Sequence, residues 1–296
     1  YLDIPFVTLD LRDAYKKGVV DYMISEYKLG RTPNPDVMCN RQVKFGAFWD
    51  WAKAEGADYI ATGHYARVVD GELLEGKDTQ KDQSYFLWTL EKEELTHVLF
   101  PVGHLQKSEV REIGKKAGIP VFDKKDSQGV CFIGHIDMKE FLKGYIETHT
   151  GDVLDTQGNV VGSHEGALLY TIGERHGFTL FKQKTDQKRV YIVKKDIEHN
   201  TLTVSDTVSA LDTDVSSGSG KTTVELTHVV LRTDISEEKD IECRTRYRQK
   251  RIRVSSVEKN LTGGLTITLA ENQLISSGQS LVLYSGDRCL GGGVMM

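Results

Sequence analysis

Two cysteines sit in segments whose composition suits reactivity better than packing. Cys39 closes PNPDVMC, and Cys131 follows the polar, glycine-containing stretch KKDSQGV and precedes an apolar Phe-Ile. A thiol acts as a nucleophile only where its surroundings lower its pKa or a base removes its proton. Asp36, three residues before Cys39, would raise a thiol pKa by its charge but can shuttle a proton, and Lys124 and Lys125 can stabilise a thiolate near Cys131. The two cysteines are far apart in sequence. If both loops reach the same edge of a sheet, they form a reversible redox pair; otherwise each is a half-buried structural thiol. Cys243 and Cys289 fall within strand patterns and read as packing residues. No two of the four cysteines form a C-x-x-C pair, which argues against a zinc ribbon or a thioredoxin motif, and no metal site is expected.

A second constellation lies in DYIATGHYAR. In parallel α/β sheets, ligands bind beyond the carboxyl ends of strands. Gly63 stands at such an end, where the missing Cβ lets a ligand approach the backbone, and His64 follows with a polar tip. A plain strand-ending turn is the competing reading. A third is the run RTRYRQKRIR, residues 244–253, with six cationic residues in ten. Read as a strand, IECRTRYRQ places Arg244, Arg246 and Arg248 on one face and Ile241, Cys243, Thr245 and Tyr247 on the other. Three uncompensated guanidiniums on a barrel face suit phosphates; the alternative is a charged edge that discourages strand addition. KDQSYFLW reads as a helix start or as a polar recognition head.

The elements that must position these residues change character along the chain. Ile4 to Leu9 is strand-like. Leu11 to Leu29 places Tyr15, Val19, Tyr22, Met23 and Tyr27 at helical spacing, with Gly30 as a stop. The two prolines of RTPNPDVMCN predict a loop, and Val43 to Glu55 a second helix. DYIAT predicts a short buried strand, and Ser108 to Ala117 a helix closed by Gly118 and Pro120. This rhythm predicts a parallel sheet covered by helices. Beyond it come one helix, Met138 to Glu147, the turn-rich GDVLDTQGNVVGSHEG, and a hairpin from VYIVKKD and TLTVSD. LDTDVSSGSGKTT reads as a flexible join. The strands VELTHVVLR, IECRTRYRQ, LTITLA and SLVLY then predict a small antiparallel barrel.

The 296 residues carry 38 Lys+Arg against 43 Asp+Glu, a net charge of -5, with 39% hydrophobic and 27% charged residues. Those proportions exclude a collagenous, disordered or disulfide-dense chain. No apolar stretch approaches the ~20 residues of a membrane span, and no signal peptide is visible. Four cysteines are too few for a secreted disulfide scaffold, so a reducing cytoplasm is expected and any disulfide would be transient. The acidic total taken alone argues against nucleic acid, but it averages over the local run at 244–253.

GRTPNPDVMCNRQVKF, DYIATGHYAR, KDQSYFLW, KKDSQGVCFIG, YTIGERHG, RYRQ and SGQSLVLYSGDRCLGGG together, in this order, resemble the tRNA-specific 2-thiouridylase (MnmA/TrmU) family over essentially the whole chain. PNPDxxCN with DSQGxCF is the specific part. The resemblance implies an α/β fold in three parts. Residues 1–135 would be the remainder of a parallel-sheet ATP-pyrophosphatase domain (adenine nucleotide alpha hydrolase-like), 136–212 a small central α+β domain, and 213–296 an RNA-binding β-barrel. The family's SGGVDSS-type phosphate loop is not in this chain and would precede Tyr1.

The activity implied is ATP- and Mg2+-dependent adenylation of C2 of the flipped wobble uridine in tRNA, then sulfur transfer from a cysteine persulfide. Cys131 resembles the persulfide carrier and Cys39 its nucleophilic or resolving partner, the two joining as a transient disulfide. Asp36 resembles the acid/base group, framed with Asn34 and Pro35 against the target base. Gly63 matches the ATP contact, and His64, Lys81, Asp82, Gln83, Arg246, Tyr247 and Gln279 match tRNA contacts. The partners implied are tRNA and a sulfur-donor relay protein or cysteine desulfurase, with no membrane, for a monomer in the cytoplasm. A different ATP-pyrophosphatase-type ligase is the alternative. So is a non-catalytic RNA-binding protein, if the phosphate loop is absent from the gene.

Overall fold

The computed structural model describes residues 3–125, 129, 131, 132, 134, 137–181, 189–206, 221–260 and 263–296. Two long helices open it. The first, α1 (residues 12–28), is α-helical at both ends and π-wound over Lys16–Asp21; it buries Val19, Met23 and Tyr27, and Gly30 ends it at φ +74°. The second, α2 (residues 35–54), is α-helical over Pro35–Met38, π-wound over Cys39–Ala47 and α-helical again over Phe48–Ala54. The expected loop at RTPNPDVMCN therefore stops at Asn34. The Asn34 side chain accepts hydrogen bonds from the Asp36 and Val37 amides, and Pro35 occupies the first helical position. A proline there loses no hydrogen bond, because that amide has no partner in a helix anyway. Such a cap is worth about 1 kcal/mol.

Short elements follow: β1 (Ile60–Ala61), β2 (Ala66–Val69), β3 (Glu72–Glu75), α3 (Lys92–Leu95), β4 (Val98–Leu99) and α4 (Lys107–Lys116). Strands β1 and β4 pair in parallel, and Gln106 with Glu109 caps α4 reciprocally. The apolar run Ile4 to Leu9 is not a strand. Ile4, Phe6 and Val7 are exposed, and no described strand lies beside the run to complete a ladder.

The middle part is α5 (Met138–Lys143), capped by Asp137, and a five-stranded sheet of order β7-β6-β5-β9-β8. Its strands are β5 (Gly151–Leu154), β6 (Val160–His164), β7 (Thr179–Leu180), β8 (Tyr191–Asp196) and β9 (Thr201–Ser205). The expected β8–β9 hairpin is present, while the turn-rich 151–166 segment forms the β5–β6 hairpin. Met23 and Tyr27 of α1 complete this part's core with Leu142, Tyr170 and Ile192.

Beyond residues 207–220, which lie outside the described residues with most of the expected join, six antiparallel strands close into a barrel. They are β10 (Thr223–Leu231), β11 (Glu242–Arg244), β12 (Ile252–Lys259), β13 (Leu265–Leu269), β14 (Ser280–Ser285) and β15 (Arg288–Met295). The β10–β15 pairing closes the ring, which removes free edges. The β2–β3 hairpin joins the outside of the same sheet through β15. Leu73, Tyr85 and Trp88 share one core with Val282, Tyr284 and Cys289, and the Tyr85 hydroxyl and Trp88 indole both donate to Ser280. No described helix is long and apolar enough to cross a membrane.

The arginine stripe does not form. Strand β11 ends at Arg244, where the chain turns: Gln249 Oε1 accepts from the Thr245 amide and hydroxyl, and Arg248 takes φ +61°. Alternation holds only along extended backbone, so Arg244, Arg246 and Arg248 separate. Arg244 is half-buried against Glu75 and Asp82, Arg246 donates to the Ile172 carbonyl, and only Arg248 of the three lines the cavity described next.

Candidate functional site

A cavity of about 690 Å³ opens between α2, the end of β1, the 81–86 segment and the turn after β11. Its walls include Asp36, Asn40 and Lys44 from α2, Gly63 and His64 from the strand end, Lys81 and Gln83, and Tyr247 with Arg248. Cys131 and Phe132 close the remaining side.

Helix α2 carries an acid, a thiol and an ammonium on or beside the cavity wall. Asp36 stands in its first turn, with Oδ1 buried and without a hydrogen-bond partner in the protein. Cys39 lies one turn on, fully buried beneath the cavity in a small cluster with Val19 and Val43, and Cys131 packs onto that cluster. Both thiols are free and close enough to shift each other's titration. The neighbouring Cys131 thiol and the nearby Lys44 ammonium pull the Cys39 thiol below its ordinary pKa, against the opposing effect of burial. Cys131 is pushed the other way by Cys39, by burial and by the Asp36 carboxylate. The pair therefore favours a thiolate on Cys39 with the proton kept on Cys131. Lys44 follows Cys39 five residues on within the π-wound stretch of α2.

The sequence suggested Lys124 and Lys125 as the stabilising cations. Both are exposed, and the cation acting on the pair is Lys44. Lys44→Met is expected to move the Cys39 titration upward. At any pH below both titrations the variant then holds less thiolate and reacts more slowly, by about tenfold if the two midpoints lie one pH unit apart. Above both midpoints the two rates converge. Iodoacetamide alkylation of Cys39 against pH measures this, and coincident profiles would remove Lys44 from the pair.

The Cys131 backbone is anchored by the Tyr15 hydroxyl of α1, which donates to its carbonyl at 2.7 Å. Tyr15 also meets Phe132 edge-on at 5.9 Å. Phe132 is 73% exposed at φ +64°, a conformation bulky residues rarely take.

The opposite wall is aromatic and basic. The Phe86 and Tyr247 rings lie 4.4 Å apart, and the Arg248 guanidinium sits 5.0 Å from the Tyr247 ring. Asn40 ties α2 to this wall by donating to the Phe86 carbonyl at 3.0 Å. Gly63 borders open space: nothing lies within 4 Å of where a Cβ would stand. His64 is buried between Phe45 and Phe100, with Nδ1 2.7 Å from the Thr62 hydroxyl. Burial pushes its pKa down to about 3, so it is a neutral imidazole at neutral pH.

Eight residues singled out in the sequence thus meet at one cavity: Asp36, Gly63, His64, Lys81, Gln83, Cys131, Tyr247 and Arg248. Cys39 lies directly beneath. Asn34 and Pro35 form the cap that aims Asp36. Asp82 does not reach the cavity; its side chain is 2% exposed and bonded to Gly76, Ser84 and Arg244. Arg246 and Gln279 are engaged on backbone carbonyls, Gln279 on those of Thr32 and Pro33 just before the cap. Sequence reasoning missed Asn40, Lys44 and Phe86. Asn40 and Lys44 carried a signal, since they recur with Asp36 at helical spacing once Asn34-Pro35 is read as a helix start.

Three family models match the chain consecutively. A tRNA methyl transferase HUP domain covers residues 1–135, a tRNA methyl transferase PRC-barrel domain 139–206, and an aminomethyltransferase beta-barrel domain 220–295. The tRNA-specific 2-thiouridylase MnmA of Streptococcus thermophilus strain LMD-9 is 41% identical over 301 residues, covering 99% of this chain and 79% of the relative. That of Listeria monocytogenes strain EGD-e is 42% identical over 309 residues, covering 99% and 78%.

Proposed function

Because the chain belongs to the tRNA-specific 2-thiouridylase family, we propose that it replaces the C2 oxygen of the tRNA wobble uridine with sulfur. The domain descriptions speak of methyl transfer and the relatives of thiolation. The packing of the cavity-lining Cys131 onto the cluster that holds Cys39 supports thiolation, because sulfur delivery needs a carrier thiol and a partner that releases it.

The target uridine enters the cavity flipped out of its stack, and the Phe86–Tyr247 wall with Arg248 offers a stacking surface. Asn34 and Pro35 hold Asp36 against the base. His64, Lys81, Gln83 and Tyr247 line the path of the RNA, while Asp82, Arg246 and Gln279 act from behind it.

Cys131 receives a sulfane sulfur from a donor protein. The Cys39 thiolate then attacks the Cys131 sulfur, forming the Cys39–Cys131 disulfide and releasing hydrosulfide, which adds to C2. Alternatively the terminal persulfide sulfur adds to C2 first, and Cys39 resolves the resulting Cys131 adduct. Either route ends in one disulfide, which a thiol reductant of the cell returns to two thiols. Asp36 moves the proton.

Bound ATP supplies the activation of the C2 oxygen, turning it into an AMP leaving group. The open space beside Gly63 fits a planar base against the backbone. Mg2+ would be held largely by the nucleotide phosphates. The residues 1–135, 136–212 and 213–296 serve as catalytic part, connector and RNA-binding barrel.

The test is direct. The whole gene product, unmodified tRNA, ATP and a persulfide donor are combined, and digested nucleosides are weighed by mass spectrometry. The expected result is 2-thiouridine with one AMP per sulfur. Methylated uridine, or AMP formation indifferent to tRNA, would sink the reading.

A further inference from the structure

Behind the Lys81–Gln83 wall lies a group of four charges, Asp82 buried and Glu75, Arg244 and Arg251 half-buried. Arg244 Nη1 donates to Asp82 Oδ2 at 2.9 Å, Arg244 Nη2 lies 2.9 Å from Glu75 Oε1, and Arg251 Nη2 lies 2.6 Å from Glu75 Oε2. The buried ring of Tyr284 sits under both guanidiniums, 5.1 and 4.4 Å from its centre. The side chains of Glu75, Arg244 and Arg251 are 14 to 15% exposed, and that of Asp82 is 2% exposed. Two cations face two carboxylates, so each charge has a partner.

The contacts differ in kind. Glu75 Oε1 makes no aligned hydrogen bond, so Glu75 balances charge. Asp82 makes directed bonds on every side. Its Oδ1 accepts the Gly76 amide at 3.0 Å and the Ser84 amide at 3.1 Å, and its Oδ2 accepts the Ser84 hydroxyl at 3.0 Å and Arg244. Asp82 is thus the hub of the 76–84 segment, and Lys81 and Gln83, its two neighbours, are the ones that line the cavity. Arg244 belongs to barrel strand β11, while Asp82 belongs to the catalytic part.

We propose that Arg244 is a positioning residue: through Asp82 it fixes the 76–84 segment so that the barrel and the catalytic part present one continuous wall to tRNA. This rests on the proposed function only for the identity of the ligand. Arg244 does not line the cavity and touches no substrate; it acts by limiting where Lys81 and Gln83 can stand.

Arg244→Lys keeps the charge but loses the planar fork that serves Asp82 and Glu75 together. Two measurements on the whole protein decide the matter. Amide hydrogen exchange at Gly76 and Ser84 is expected to quicken about tenfold or more in Arg244→Lys, with β13 amides unchanged. The KM for tRNA is expected to rise about tenfold with kcat within about twofold, the factor a loss of ~1.4 kcal/mol in binding gives. Arg244→Gln combined with Asp82→Asn, a neutral pair that retains a hydrogen bond, is expected to recover most of both losses.

Unchanged exchange overturns the proposal. So does quickened exchange with unchanged KM, or a parallel fall of kcat and melting temperature that the double variant does not rescue. If the wild-type protein neither binds nor thiolates tRNA, the functional reading fails; the exchange result then decides alone whether Arg244 positions the segment.

Discussion

Cys131→Ser is expected to end sulfur transfer without unfolding the protein. Turnover should fall by at least about a thousandfold, the scale seen when an enzyme loses its nucleophile. A serine oxygen can neither carry a sulfane sulfur nor form the disulfide that closes the cycle. Cys131 is half-buried at the edge of its cluster, so the melting temperature should move little. Cys39→Ser should abolish turnover equally, because release of the sulfur then lacks an attacking thiolate. It differs in leaving the protein able to accept sulfur, so a persulfide should accumulate on Cys131. Intact-mass measurement after exposure to the donor distinguishes the two variants: a gain of one sulfur atom in Cys39→Ser and none at position 131 in Cys131→Ser. Near-normal turnover of either variant would remove the pair from the mechanism. Because Cys39 is fully buried beside Val19 and Val43, its substitution also carries a packing cost, and Cys39→Ala serves as the apolar control.

Asp36→Asn is expected to lower kcat by about a hundred- to ten-thousandfold, the usual contribution of a positioned acid or base. The substitution keeps the size of the side chain and the N-terminal cap, since the cap is made by Asn34 and uses only the backbone amide of residue 36. The KM for tRNA should therefore change little. The same change removes the negative charge beside Cys131, so the Cys131 thiol should titrate at lower pH than in the wild type. Single-turnover kcat with saturating tRNA is the readout. A kcat within about threefold of wild type would make Asp36 a structural group.

Much of the site is legible in the sequence alone. Cys39, Asp36, Cys131, Gly63 and His64 stand out by residue type and by their positions at element ends, and these are local properties that a sequence carries. The helix start at Asn34-Pro35 is also written there, although the proline suggests a loop. A proline breaks a helix only when its missing amide was needed, and at the first helical position it is not. The arginine run is misleading for a different reason. Alternation predicts a face only while the backbone stays extended, and the turn at Thr245–Gln249 ends that condition.

The sequence by itself determined which groups can react, most of the helical and strand segments, and the barrel's need to close, because each follows from local spacing and turn chemistry. Only the tertiary structure decided which charges are spent within the protein and which face the cavity. Lys44 acts on a thiol whose partner arrives from residue 131, and Arg244 is answered by Glu75 and Asp82 from the far side of the chain. Electrostatic and hydrogen-bond partners are set by distance in space, and a charge pattern read along one strand says nothing about the carboxylates that folding brings against it.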